Sequence, residues 1–384
     1  MKNPASLLRS FFLLIWACLF SLPVLYAQQT INGSFVYEGR QREYILYLPP
    51  DFASLDSLPL VLNFHGYGSN AMEQMFYGDF RPIADTAGFA IVHPLGTRDF
   101  LQTTHWNVGW GGSNVDDLSF VNALLDSMIT HYKITPNRIY STGMSNGGFM
   151  SHLLACELSP RIAAIASVTG SMADSKLASC DPQRPVPVMQ IHGTADMVVP
   201  YAGQPPLMAP IDSVVAFWVG HNECDPNPTI TDLPDISPND GSTAQLIEYQ
   251  EGDGSLKVQL YKIANGGHTW PNNQFVPAGT NYDFDASKVI WEFFAQYSLS
   301  GAISTTSLEP ESQGLISLFP NPCGERLSVL RSSAEPEAYQ ISNLQGQRLK
   351  SGILAEQSYI EVQDLTPGVY FLHTSNQHLR FVKQ

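Results

Sequence analysis

Short apolar runs alternate with stretches of helical periodicity over the first 300 residues of the chain. Four of the runs are almost continuously apolar, as expected for strands that are buried on both faces of a sheet. These runs span 58–64, 89–94, 162–168 and 186–191. Apolar residues recur at helical spacing in 116–132, 211–219 and 285–297. Strands that alternate with helices predict a mostly parallel sheet with helices on both of its faces.

Two further pairs of strands are predicted at the ends of this region. Residues 34–37 and 42–48 alternate between apolar and polar positions and predict an opening strand pair, and 246–249 and 258–263 predict two later strands. Together these segments predict one α/β domain over residues 28–300.

Beyond residue 300 the composition shifts to Ser, Thr, Gly and acidic residues, which predicts a linker over 301–313. The pattern after it is entirely that of short strands separated by Asn, Pro and Gly. The predicted strands are 315–319, 327–330, 339–342, 359–362 and 369–373. This spacing predicts a small β-sandwich over 314–384.

The N-terminus has the pattern of a secretion signal. Lys2 and Arg9 precede the apolar run 11–20, and Ala27 offers a cleavage position, so residues 1–27 are expected to be removed. A membrane anchor is the alternative, but Pro23 interrupts the apolar run. We therefore expect an exported mature protein.

Export affects the expected state of the cysteines, because exported proteins can form disulfides. We hypothesise a bridge between Cys156 and Cys180, with two buried free cysteines as the alternative. The cysteine spacing does not resemble a zinc site, and no metal or cofactor is predicted. A formal net charge of -15 argues against nucleic-acid binding, which needs a basic surface. The oligomeric state is left open.

The candidate chemistry begins at Gly143-x-Ser145-x-Gly147, between a predicted strand and a predicted helix. A serine at the tip of a sharp strand-to-helix turn needs neighbours without Cβ atoms, and the helix N-terminus beyond it favours developing negative charge. The pattern is that of a nucleophile elbow. A glycine-rich turn with no catalytic role is the alternative.

Acyl transfer by a serine also needs a base, an acid to orient that base, and donors for the oxyanion. Asp196 follows a buried strand, and His268 lies in a Gly-rich loop after a later strand, which gives the order serine, acid, histidine. We predict Ser145, Asp196 and His268 as a catalytic triad. The backbone N–H groups of Tyr67 and Asn146 are predicted to form the oxyanion hole.

Other acids compete with Asp196 for its role. They are Asp116, Asp117 and Asp212. Asp116 and Asp117 precede the serine, which breaks the expected order, and helix capping is their alternative role.

Six ordered motifs carry a resemblance to one family. They are His65-Gly66-Tyr67-Gly68, Asn107-Val108-Gly109-Trp110, Val115-Asp116-Asp117, the elbow with its flanking residues 143–148, His192-Gly193-Thr194-Ala195-Asp196, and Gly267-His268-Thr269-Trp270-Pro271. Residues 30–298 resemble the secreted polyhydroxybutyrate-depolymerase-like and feruloyl/acetylxylan-esterase family of α/β-hydrolases. The resemblance implies hydrolysis of carboxylic esters through an acyl-enzyme.

The natural substrate stays open between two groups. Feruloyl or acetyl esters of plant polysaccharide are one, and polyhydroxyalkanoate is the other; in both cases the partner is an ester-bearing extracellular polymer. Trp110 and Trp270 are predicted to wall the site, where aromatic rings could stack on a feruloyl group or a sugar, with core packing as the alternative.

The tail resembles a second known module. Its motifs are Leu318-Phe319-Pro320-Asn321-Pro322, Asn343-x-x-Gly346, Gly368-Val369-Tyr370 and Phe381-Val382-Lys383. They resemble the C-terminal sorting domain of type IX secretion in Bacteroidetes. The resemblance implies an interaction with that secretion machinery, export across the outer membrane of a Gram-negative bacterium, and release or attachment at the cell surface. A generic carbohydrate-binding or spacer sandwich is the alternative.

Three rival functions stay open at the level of sequence. A peptidase could use the same triad, although no propeller-like repeat domain accompanies it. A non-catalytic surface protein that binds polysaccharide could retain the fold. A metal-dependent deacetylase would need a His/Asp ligand cluster, which the sequence does not display.

Overall fold

The structure, a computed structural model, describes residues 28–252, 255–273, 279–303, 316–319, 323–331, 336–343, 347–355, 357–374 and 378–383. The chain divides into two compact units after Ile303. Several predictions lie outside the described residues. They are the signal 1–27 with its cleavage position at Ala27, most of the linker, and Pro320, Asn321, Pro322 and Gly346 of the tail motifs. The predicted boundaries therefore stay predictions.

The larger unit is built on one large sheet, which has ten strands among the described residues. The strands of this unit up to residue 264, including the small hairpin β5–β6, are β1 (Gln29–Tyr37), β2 (Arg40–Leu48), β3 (Leu58–Phe64), β4 (Ala90–Pro94), β5 (Thr97–Arg98), β6 (Thr104–His105), β7 (Ile134–Met144), β8 (Ala164–Val168), β9 (Val188–Gly193), β10 (Thr229–Asp232), β11 (Thr243–Gln250) and β12 (Lys257–Ala264). The order in the large sheet is β1-β2-β4-β3-β7-β8-β9-β12-β11-β10. The six central strands, from β4 to β12 in this order, are mutually parallel, and the flanking strands are antiparallel.

Helices cover both faces of this sheet. They are Ala71–Tyr77, Arg81–Ala87, Asp117–His131, Asn146–Glu157, Asp174–Ser179, Ile211–His221 and Ala286–Phe294. One apolar core, which contains Leu125, Leu154 and Trp218, lies on one face. The other core contains Phe80, Ile290 and Phe294. Parallel strands buried between two such layers read as continuous apolar runs, so the predicted α/β fold is confirmed.

Some elements were not predicted. The helices Ala71–Tyr77, Arg81–Ala87 and Asp174–Ser179 have only six or seven residues each, which is too short for helical periodicity to stand out. Strand β10 is exposed along its whole length, so its residues carry no apolar alternation.

The smaller unit is an antiparallel β-sandwich. Its seven strands are β15 (Ile316–Phe319), β16 (Arg326–Arg331), β17 (Glu337–Asn343), β18 (Arg348–Leu354), β19 (Gln357–Glu361), β20 (Gly368–His373) and β21 (His378–Lys383), in sheets of order β15-β16-β19 and β18-β17-β20-β21. A further short pair, β13 (Tyr297–Ser298) and β14 (Gly301–Ala302), closes the larger unit. Side chains of both sheets, among them Leu327, Ile360, Ile341 and Leu372, share one apolar core.

The predicted small sandwich is confirmed, although β18 and β21 were not among the predicted strands. In β18, Ser351 and Gly352 interrupt the alternation of apolar and polar positions. Within the described ranges, no helix is long and apolar enough to cross a membrane.

Candidate active site

Ser145 occupies the turn between the end of β7 and the helix Asn146–Glu157. Its backbone has φ 56° and ψ -122°, and its side chain is 8% exposed. A non-glycine residue in this region of φ/ψ space is strained, and such residues persist where the surroundings over-determine them. The Ser145 N–H donates to the Val168 carbonyl at 2.8 Å, which ties the turn to the adjacent strand β8.

The two glycines of the elbow are required by close packing against β3. A Cβ atom on Gly143 would lie 2.6 Å from the Phe64 carbonyl oxygen, and one on Gly147 only 2.1 Å from it. Neither distance is compatible with a side chain. The sequence pattern therefore reflects a turn that packs directly against the neighbouring strand.

Asp196 and His268 come from the loops after two adjacent parallel strands, β9 and β12. His268 Nδ1 lies 2.8 Å from Asp196 Oδ2. The other oxygen, Oδ1, accepts the N–H groups of Val198 and Val199, both at 2.8 Å. Asp196 is only 3% exposed, so both of its carboxylate oxygens are buried among these donors.

This network fixes the protonation pattern of the pair. Burial alone would raise the pKa of Asp196, but the hydrogen bond and charge of His268, with the Val199 N–H, lower that pKa below its ordinary value. An ionised carboxylate can only accept, so Nδ1 of His268 carries the proton. Nε2 is then left with a lone pair that can accept a proton.

Ser145 and His268 line one cavity of about 310 Å³. The rest of its wall comes from the loop after β3 and from the helix Ala71–Tyr77, including Tyr67, Glu73 and Gln74. Among the described residues no hydrogen bond joins the serine hydroxyl to the imidazole. Such bonds are commonly long in free enzymes and tighten when substrate binds.

Two backbone N–H groups are available beside the serine. The loop after β3 approaches so closely that a Cβ atom on Gly66 would lie 3.4 Å from Ser145 Cβ. In the described part of the chain, the N–H groups of Tyr67 and Asn146 donate to no protein acceptor. Asn146 is also the first residue of its helix, where unpaired N–H groups attract negative charge.

The two tryptophans that were predicted to wall the site lie in different surroundings. Trp110 lines a second cavity of about 230 Å³, together with Tyr67, Leu101 and Trp106. The Trp110 and Tyr67 ring centroids lie 6.3 Å apart. Tyr67 lines both cavities, so the two cavities are neighbours.

Trp270 does not line the site, which corrects the prediction of a substrate contact. It is 1% exposed, packs edge-on against Phe80 and donates from Nε1 to Ser287 Oγ. Its ring packs in the core beneath the loop that carries His268. Core packing is the alternative role that the sequence left open for this residue.

The competing acids have other partners. Asp116 accepts the Ser119 N–H and caps its helix, as its alternative role predicted. Asp117 is no cap: its carboxylate forms a buried ion pair with Arg42 at 2.7 Å. Asp212 accepts the hydroxyl of Tyr201.

A disulfide joins Cys156 to Cys180 and so links the helix after the serine to the segment that follows Asp174–Ser179. Cys224 and Cys323 are free and buried. In the described ranges, no cluster of His, Cys, Asp and Glu has the arrangement of a metal site.

Each of the two units is similar to a known protein family. Residues 42–221 match the family model described as esterase PHB depolymerase. The larger unit is a carboxylic ester hydrolase of the α/β-hydrolase superfamily. The smaller unit matches, over residues 317–384, the model of a secretion system C-terminal sorting domain. The esterase is therefore secreted by the type IX route.

Three curated relatives of the esterase illustrate the likeness. The putative esterase NocK of Nocardia uniformis subsp. tsuyamanensis is 29% identical, covering 64% of this chain and 75% of the relative. Feruloyl esterase D of Neurospora crassa is 26% identical, over 72% of this chain and 88% of the relative. The bifunctional acetylxylan esterase/xylanase XynS20E of Neocallimastix patriciarum is 25% identical over 72% of this chain, which spans only 36% of that protein.

Proposed function

We propose that the esterase is a serine hydrolase that acts through an acyl-enzyme, with Ser145 as nucleophile, His268 as general base and Asp196 as its orienting acid. The observation that carries the proposal is the shared cavity of Ser145 and His268, with the imidazole held at 2.8 Å by a buried carboxylate. The strained backbone at Ser145 supports it, since strain of this kind concentrates at functional sites.

In the acylation step, Nε2 of His268 takes the proton of the Ser145 hydroxyl as the serine oxygen attacks the ester carbonyl carbon. The carbonyl oxygen becomes an oxyanion, and the N–H groups of Tyr67 and Asn146 stabilise it. His268 then gives its proton to the leaving alcohol oxygen, and the bond between carbon and that oxygen breaks. Asp196 holds the imidazole in the required tautomer and stabilises the imidazolium.

Deacylation repeats these steps with water. His268 takes a proton from a water molecule, whose oxygen attacks the acyl carbon of the Ser145 ester. The second tetrahedral intermediate collapses when the bond to Ser145 oxygen breaks. That oxygen takes the proton back from His268, and the carboxylic acid product leaves.

For the substrate, we propose esters on an extracellular polymer, with feruloyl or acetyl esters of plant polysaccharide as the first candidates. The likeness to relatives named as feruloyl and acetylxylan esterases supports this choice. The two cavities also support it. An apolar cavity of about 150 Å³ can hold benzene, so the 230 Å³ cavity beside Trp110 has room for a substituted ring. The cavity at Ser145 carries the side chains of Ser69 and Glu73, which are within reach of solvent and can bond sugar hydroxyls.

Polyhydroxyalkanoate is the second candidate, and a separate observation favours it. Apolar side chains are unusually exposed near the site: Leu101 is 80% exposed at the second cavity, and Met197, next to Asp196, is 89% exposed. Exposed apolar surface of this kind suits contact with an apolar polyester.

The experiment compares the full chain with Ser145→Ala on p-nitrophenyl acetate, methyl ferulate, acetylated xylan and a polyhydroxybutyrate film. Loss of a triad nucleophile is expected to lower kcat by at least about 10⁴-fold. Ser54→Ala, which changes an exposed serine in a distant turn, is the matched control and should keep wild-type activity. Wild-type activity in Ser145→Ala would overturn the mechanism, and the preferred polymer decides between the two substrate classes.

A further inference from the structure

Asp99 lies in the hairpin β5–β6, outside the triad and the oxyanion donors. Its Oδ2 accepts the hydroxyl of Tyr67 at 2.6 Å. Its Oδ1 accepts the N–H groups of Leu101 and Thr103, at 2.8 and 2.9 Å. The residue is 6% exposed. One carboxylate therefore shapes the tip of the hairpin and also ties that tip to the ring of Tyr67.

The same segment holds the loop after β3 at two more points. The Gly68 N–H donates to the Thr104 carbonyl at 2.8 Å. The indole N–H of Trp106 donates to the His65 carbonyl at 3.0 Å. Residues on both sides of Tyr67 and the Tyr67 ring itself are thus bonded to residues 99–106.

The other oxyanion donor is bonded to this segment as well. The side chain of Asn146 accepts the Trp106 N–H at 2.7 Å and donates to the Trp106 carbonyl at 3.1 Å. Asn146 is fully buried, so these two bonds cannot be exchanged for bonds to water without moving the backbone. Both bonds use side-chain atoms of Asn146, so its backbone N–H stays available as an oxyanion donor.

We propose that residues 99–106 form a brace that sets the distance between the two oxyanion donors, with Asp99 and the side chain of Asn146 as its positioning residues. This inference rests on the proposed function, which uses the N–H groups of Tyr67 and Asn146. The two donors belong to different elements: Tyr67 lies in the loop after β3, and Asn146 begins the helix after β7. Direct bonds of both elements to a common third segment fix the separation of the two donors.

The reason that the separation matters is geometric. Oxyanion donors act only when both lie about 2.7–3.1 Å from the oxygen that becomes charged. A displacement of about 1 Å at a catalytic centre can cost about 100-fold in rate. The brace acts on the transition state rather than on substrate binding, so its loss should lower kcat and leave KM for a small ester near the wild-type value.

The experiment uses the full chain and p-nitrophenyl acetate, whose acyl group is too small to depend on the second cavity. The variants are Asp99→Ala, Asp99→Asn, Tyr67→Phe and the double variant Tyr67→Phe/Asp99→Ala. Tyr47→Phe is the matched control, because it deletes the same kind of bond, from a tyrosine hydroxyl to the Asp85 carboxylate, away from both cavities. Each variant is also titrated with an alkylboronic acid, which forms a tetrahedral adduct with the serine.

We expect kcat of Asp99→Ala to fall roughly 10- to 100-fold, with the boronic acid bound more weakly by a similar factor. Asp99→Asn should recover most of the rate, because an amide can still accept the two turn N–H groups and bond the Tyr67 hydroxyl. Tyr67→Phe should lower kcat less than Asp99→Ala, and the double variant should equal Asp99→Ala because both remove the same bond.

The brace is refuted if Asp99→Ala keeps wild-type kcat, if it changes kcat without changing boronic-acid affinity, or if Tyr47→Phe has the same effect as Tyr67→Phe. These outcomes are distinct from failure of the proposed function. If Ser145→Ala is inactive while Asp99→Ala is fully active, the triad stands and the brace does not.

Discussion

The substitution Asp196→Asn isolates the role of the buried carboxylate. Oδ1 accepts two backbone N–H groups, from Val198 and Val199. In the variant, the amide oxygen must keep that position, because an NH₂ group there would face two donors. The amide nitrogen then faces Nδ1 of His268, where a donor replaces an acceptor. Nδ1 must give up its proton, and the proton moves to Nε2.

The size of the effect follows from this tautomer. With a proton on Nε2, His268 has no lone pair for the proton of Ser145. The same change in a serine protease lowers kcat about 10⁴-fold, which corresponds to about 5 kcal/mol in the activation free energy. The fold should be preserved, because the bonds to Val198 and Val199 remain.

The assay is kcat on p-nitrophenyl acetate, with thermal unfolding measured in parallel. Asp212→Asn is the matched control: it is the same substitution at an exposed carboxylate that also follows the serine, and it should leave kcat unchanged. If Asp196→Asn stays folded and keeps kcat within about tenfold of wild type, the reasoning from the tautomer is wrong. If Asp212→Asn is the inactive variant, the acid has been misassigned.

Further predictions concern stability and substrate binding. Replacing Cys156 and Cys180 by serine opens a loop of sequence separation 24 and should lower the free energy of unfolding by about 3 kcal/mol in denaturant titrations; no change would contradict a structural role for the bridge. His93 is buried, and burial lowers its pKa to about 3, so below about pH 6.5 only the unfolded chain takes up its proton. His93→Leu should therefore reduce the loss of stability between pH 7 and pH 5 by about 2 kcal/mol, and an unchanged loss would refute this assignment. Trp110→Ala should raise KM for methyl ferulate about tenfold and leave KM for p-nitrophenyl acetate unchanged, whereas Trp270→Phe should lower the melting temperature with no change in either KM.

The architecture was largely predictable, because strands that are buried on both faces of a sheet are almost continuously apolar in sequence. All seven residues of β3 are buried, and the sequence there is apolar at all but two positions. The elbow was equally visible, since the contacts of Gly143 and Gly147 with Phe64 exclude any side chain. The prediction of Asp196 and His268 rested on the chain order typical of α/β-hydrolases and on the position of both residues after strands.

The polar contacts that hold the site in place could not be predicted from the sequence in the same way. Asp99 and Tyr67 are 32 residues apart, and Asn146 and Trp106 are 40 residues apart, so no local pattern links them. The pair Arg42 and Asp117 is separated by 75 residues. Only the folded chain shows which polar groups meet.

Aromatic residues were ambiguous for a related reason. A tryptophan beside a catalytic loop can face the cavity or the core, and a sequence does not record which. Trp110 and Trp270 both lie in motifs of the resemblance, yet one lines a cavity and the other is buried beneath the loop of His268.

Covalent labelling shows directly whether Ser145 is the nucleophile that carries the acyl group. The full chain is treated with a fluorophosphonate, and the adduct is located by mass spectrometry of its peptides. We expect a single adduct on Ser145, absent from Ser145→Ala, with loss of esterase activity in proportion to labelling. An adduct on another residue, or full activity after complete labelling of Ser145, would contradict it.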